Sequence, residues 1–133
     1  MFKIAQAGIA AGVAAAVLAP GAAQAATARD TTALLGTYGF GRAQVIGEAG
    51  VAAGVWRSFS VRTGFAGDDL TVTYQRRFTP SPVERQVYTA AFDAVADAQA
   101  ECLGVGADGV ARKVWVSFRC QTGFVPSYTL YVR

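Results

Sequence analysis

Two stretches decide how this chain is read: Ile46 to Phe65, IGEAGVAAGVWRSFSVRTGF, and Val105 to Phe124, VGADGVARKVWVSFRCQTGF. Displaced by 59 residues, they agree without a gap at eleven of twenty positions. The shared residues are Gly47, Gly50, Val51, Ala52, Val55, Trp56, Ser58, Phe59, Thr63, Gly64 and Phe65. Agreement that includes a Trp and two Phe marks an internal duplication, and two copies are too few for a solenoid. With one residue deleted in the following turn, LTVTY at Leu70 to Tyr74 continues against YTLYV at Tyr128 to Val132. The repeats so defined cover about 38–77 and 97–133.

Each copy reads as a three-stranded meander. A first strand is expected over Tyr38 to Ile46 and again over Asp97 to Val105. Turns follow at Glu48-Ala49-Gly50 and Ala107-Asp108-Gly109, because Asp and Gly tolerate positive φ. The second strand alternates, with Val55, Phe59 and Val61 on one face and Trp56, Ser58, Ser60 and Arg62 on the other. Its counterpart sets Val114, Val116, Phe118 and Cys120 on the matching face. Between the copies, Ser81-Pro82-Val83-Glu84 resembles a helix start. Strict alternation over Phe92 to Cys102 favours a strand instead, as do Gly36, Gly39 and Gly41 in the matching segment. The expectation is an all-β chain, a small antiparallel β-sandwich of two duplicated three-stranded meanders. The alternative is an α+β fold with a helix near 82–98.

Upstream of the repeats lies a segment with the three parts of a signal peptide. Lys3 supplies the charge, Ile4 to Ala19 the apolar run, and Ala23-Gln24-Ala25 a small-x-small cleavage site after Pro20-Gly21. The run is short and alanine-rich for a membrane span. Cleavage after Ala25 leaves 26–133 as a single β domain of 108 residues with a net charge of +2. The expected product is a free, monomeric, extracellular protein, not held by a membrane.

Composition narrows the chemistry. Of 133 residues, 53% are apolar and 16% charged, with mean hydropathy +0.30, which fits a packed domain. There is no histidine, which excludes Ser-His-Asp and Cys-His catalysis and histidine metal sites. Two cysteines cannot form a four-thiolate zinc site. The small net charge gives no reason to expect nucleic acid as a partner, and no cofactor motif is present.

Cys102 and Cys120 both fall in the exported part and are expected to form a disulfide joining the first two strands of the second copy. Their equivalents at the 59-residue offset are Ala43 and Val61, an apolar pair.

Trp56 and Trp115 are the candidate binding residues. Alternation sets them opposite the Val/Phe face, where they form aromatic platforms if that face is open, or core plugs if it is covered. Arg62, Arg119 and Gln121 are their expected polar neighbours. Asp68-Asp69 in a Gly-containing turn is the weakest of motifs for calcium, which wants six to eight oxygens. Arg76-Arg77 with Arg85, and Arg112-Lys113, are short basic clusters, of the kind that protect strand ends or, as the alternative, offer a site to an acidic partner. Glu48, Glu84 and Glu101 are the only glutamates, and no acid pair recurs between the copies, since Glu48 matches Ala107 and Glu101 matches Arg42. The functional expectation is non-catalytic binding of an extracellular glycan or protein. One alternative is inhibition of a secreted hydrolase through Trp56-Arg57-Ser58 or the turn at Ala66 to Asp69. The other is a small carboxylate-dependent hydrolase.

Overall fold

The computed structural model describes residues 30–123 and 125–133, so the export segment read at 1–25 lies outside the described residues. The described residues form six strands and two helices. They are β1 (Asp30–Tyr38), α1 (Arg42–Ala53), β2 (Ser58–Thr63), β3 (Asp68–Gln75), β4 (Arg85–Ala91), α2 (Ala98–Ala111), β5 (Phe118–Thr122) and β6 (Ser127–Val132). Each copy is therefore a β-α-β-β unit, running over 30–75 and 85–132. The strands form two three-stranded antiparallel sheets of order β1-β3-β2 and β4-β6-β5. The order is not that of a meander: the helix carries the chain across, and the third strand inserts between the first two.

The expected first strands are the main correction, because Tyr38 to Ile46 and Asp97 to Val105 lead into helices. Ala43, Ile46, Gly47 and Gly50 are the buried residues of α1. Cys102, Val105, Gly106 and Gly109 repeat that spacing in α2, one face of a 3.6-residue period. The supposed hairpin turns at Gly50 and Gly109 lie inside these helices. The glycines act here through absence of bulk. A Cβ on Gly47 would stand 2.3 Å from the Phe59 ring, and one on Gly50 would stand 2.0 Å from the Trp56 indole. Gly106 and Gly109 meet Phe118 and Trp115 in the same way, at 2.1 and 2.2 Å. Each glycine costs a helix about 1 kcal/mol against alanine, and each aromatic it admits returns more through burial, about 1.5–3 kcal/mol for Phe. The contact is locked by Trp56 Nε1 donating to Gly47 O and Trp115 Nε1 to Gly106 O, both at 2.9 Å.

Helix ends are fixed by side-chain and main-chain caps. Asp97 caps α2 by accepting from Ala100 N at 3.0 Å, so the alternating run from Phe92 turns and then coils. At α1 the cap comes from across the fold: Asp68 Oδ2 accepts from Gly41 N at 2.8 Å. Both helices finish with paired bonds of the Schellman type, Val55 N to Gly50 O with Gly54 N to Val51 O, and Val114 N to Gly109 O with Lys113 N to Val110 O. Residues 85–91 form the strand β4 and no helix forms over 82–97, yet the α+β alternative also fits, through α1 and α2.

The strand register corrects the end of the repeat alignment. Phe59 faces Val72 and Phe118 faces Val132, so the offset of 59 becomes 60 in β3 and β6. The second copy has one residue more in its turn, not one fewer. Leu70 and Val72 correspond to Leu130 and Val132, and all four are buried.

The two copies share one core. Leu35, Ile46, Leu70 and Val72 cluster with Val105, Val114, Leu130 and Val132, and α1 packs on β4 of the other copy as well as on β2 and β3. The two indoles stack at the centre, ring centroids 6.2 Å apart. The Cys102–Cys120 disulfide is present, with Cα atoms 6.1 Å apart. It ties α2 to β5, not strand to strand as expected. In the first copy Ala43 is buried and Val61 packs against the same core.

Candidate functional site

The tryptophans are core plugs, as the covered-face reading has it, and not platforms. Trp56 is 3% exposed and Trp115 1%, with their N–H groups already spent on Gly47 and Gly106. Both precede their strands, at a bend where the two-residue alternation does not operate, and turn inward. Alternation holds within the strand itself, where Phe59 and Val61 lean on the core while Ser58, Ser60 and Arg62 are less covered or exposed. Arg62 and Arg119 therefore stand outside and the indoles inside, and no joint site forms. Arg119 clasps Glu84 at 2.7 and 2.8 Å, bonds Gln121 and lies 4.4 Å over the Tyr131 ring. That guanidinium holds the Glu84 carboxyl below its usual range.

The polar groups held inside the fold serve the contact between the copies. Arg42 binds Glu101 in a fork, Tyr88 Oη donates to Glu101 Oε1 at 3.1 Å, and Tyr38 Oη donates to Asp108 Oδ2 at 2.8 Å. Burial first, then the facing carboxylates, raise both phenols well above their ordinary pKa. Glu48 accepts from Gln44 at 2.8 Å. All three glutamates thus have partners, and none faces another acid across an open cleft. Asp68 caps α1, and Asp69 Oδ1 accepts from Thr37 Oγ1 at 2.6 Å. Among the described residues no group of three or more acid or cysteine side chains is gathered as metal donors require.

The open surface lies at the end of the molecule where the helices begin, in the loops that precede α1 and α2 and in the β2–β3 and β5–β6 turns. Phe65 is fully exposed on the four-residue turn between Thr63 and Asp68, and Phe40 is largely exposed before α1. In the second copy Phe92 stacks on Tyr128, centroids 5.6 Å apart, beside exposed Val125. A cleft of about 370 Å³ opens on one side of Phe92, lined by Ala91, Asp93, Val125 and Pro126. The sequence carried one signal for this end: Thr-Gly-Phe recurs at 63–65 and 122–124, although Phe124 lies outside the described residues.

Comparison of the chain with protein-family models, with characterised proteins and with solved structures gives no match.

Proposed function

We propose that the chain is an exported, non-catalytic binding protein that engages an extracellular protein through the β2–β3 turn. The observation that carries this reading is Phe65, a large apolar side chain left wholly in water on a short turn. The shared residues Gly47, Gly50, Trp56 and Phe59 each have a packing role in both copies. Phe65 has none in the described fold, and a rigid exposed aromatic is the kind of anchor that dominates protein interfaces. Inhibition of a secreted hydrolase is the form of binding that this turn serves most directly.

The test is a panel of extracellular proteases and amylases assayed with and without the mature protein. A stoichiometric complex or loss of hydrolase activity, weakened at least tenfold by Phe65→Ala at unchanged Tm, supports the reading. Polymer hydrolysis by the protein itself, abolished by Glu48→Gln, overturns it.

A further inference from the structure

A second surface lies at the opposite end, where both helices finish. Arg76-Arg77 and Arg112-Lys113 are far apart in the chain, yet Arg77 N donates to Lys113 O at 2.8 Å. Arg76 and Arg112 both stand close enough to the Tyr74 phenol to oppose the upward pull of burial on its pKa. Arg77, Arg85 and Arg133 line one small cleft with Ser81. Six cations from the β3–β4 linker, the start of β4, the end of α2 and the residue after β6 thus converge.

The side chains of Arg85, Arg112 and Arg133 bond to main-chain carbonyls. Arg85 Nη1 donates to Ala53 O and Gly54 O at 3.2 and 3.3 Å, Arg112 Nε to Leu34 O at 2.7 Å, and Arg133 Nη2 to Pro82 O at 3.3 Å. Such bonds fix a guanidinium without neutralising it. The ion pairs Arg42–Glu101 and Arg119–Glu84 take other arginines, and Glu84, whose field reaches Arg133, is already engaged.

Lys113 adds an independent observation. It has φ 64°, and its counterpart one repeat earlier is Gly54 at φ 76°. The same helix-ending bonds surround both residues. Glycine adopts this left-handed conformation freely, whereas lysine is strained in it. The second copy keeps a strained cation where the first copy has the residue the backbone prefers. Lys113 Nζ stands 5.8 Å from the ring centroid of Phe78, itself mostly exposed.

We infer that this end is a docking surface for an acidic polysaccharide, whose charged groups meet Arg76, Arg77, Arg85, Arg112, Lys113 and Arg133 while a sugar ring lies on Phe78. The cleft among the arginines, about 20 Å³, admits little more than a water molecule. Anionic groups therefore sit in series on the surface, as a polymer supplies them. An aromatic ring beside a cation offers an apolar sugar face and its acid group complementary contacts together.

The experiment is electrophoresis of the mature protein in native gels containing dextran sulfate, polygalacturonate, neutral dextran or polyglutamate, at several salt concentrations. Both acidic polysaccharides should retard the protein and neutral dextran should not. Arg76→Gln, Arg77→Gln and Lys113→Gln together should weaken binding at least tenfold and lower the log–log salt slope by about three, by counterion release. Phe78→Ala should weaken binding to polygalacturonate without altering the slope. Lys113→Gly should raise Tm by a few degrees and still bind more weakly, which a purely structural lysine would not do. Arg62→Gln and Phe65→Ala, at the other end, should bind as wild type, so this surface and the turn surface stand or fall separately. Unchanged binding by the triple variant, or an equal loss in Arg62→Gln, overturns the inference. Tighter binding to polyglutamate than to polygalacturonate overturns it in favour of an acidic protein.

Discussion

Arg42 and Glu101 occupy the same position in the two copies and bind each other. Arg42 Nη2 donates to Glu101 Oε1 at 2.9 Å and Nε to Oε2 at 3.0 Å, with both side chains largely buried. Trp56 and Trp115, also equivalent, stack with their ring planes inclined by 29°. Two equivalent pairs in mutual contact place a local two-fold relation between the copies, with one arginine–glutamate pair close to it.

Removing one partner of that pair leaves a buried charge. Glu101→Ala should destabilise by about 3–5 kcal/mol in urea unfolding. Exchanging the charges, Arg42→Glu with Glu101→Arg, rebuilds the pair from the opposite sides and should recover most of the loss. A swap no more stable than Glu101→Ala would show that the local environments of the two positions are not interchangeable.

The helix glycines divide into two kinds. A Cβ added at Gly104 would meet nothing within 4 Å, so Gly104→Ala should stabilise by about 0.5–1 kcal/mol through helix propensity and reduced freedom of the unfolded chain. Gly50→Ala forces a methyl into the Trp56 indole and should destabilise by about 1–3 kcal/mol despite the same propensity gain. Thermal unfolding of the two variants checks the contrast in sign.

Alkali should unfold the protein through Tyr38 and Tyr88. Burial, Asp108 and Glu101 hold their folded pKa values above the unfolded value near 10. Their contribution is therefore complete below about pH 10 and lost as pH rises beyond it, at about 1.4 kcal/mol per pH unit for each tyrosine. Tyr88→Phe should remove one share of that slope. Absorbance at 295 nm should rise for these phenols only on unfolding, and a folded protein titrating both near pH 10 would contradict this.

Reduction of the disulfide should cost about 3 kcal/mol in the chain-entropy account. Cys102→Ala with Cys120→Val imports Ala43 and Val61 from the first copy, and should fold with a loss of about 2–4 kcal/mol. A midpoint in urea that ignores reductant would show that the bridge adds nothing to stability.

The duplication, the disulfide and the inward faces of Phe59, Val61, Phe118 and Cys120 were legible because they depend on identity and local alternation. The helices were not, because glycine counts against a helix on propensity, and the Trp and Phe rings that need those glycines arrive from farther along the chain. Trp56 was misplaced for a related reason: alternation predicts a face only inside a strand, and the bend at Val55–Arg57 lies before β2 begins. Arg119 was read as a polar neighbour of the tryptophans, whereas its engagement with Glu84 joins β5 to the linker ahead of β4, a proximity that no spacing along the chain announces.

The net charge of +2 expected for the mature chain conceals a strong polarity. Asp68 and Asp97 sit at the helix beginnings, with Asp69 and Asp93 in the neighbouring segments, while Arg77, Arg85, Arg112, Lys113 and Arg133 gather at the helix finishes. Each arrangement complements the helix dipoles. Arg42 and Arg62 at the first end and Glu84 at the second temper this separation without reversing it. An anionic polymer held at the arginine-rich end, as inferred above, would leave Phe40, Phe65 and Phe92 at the other end uncovered.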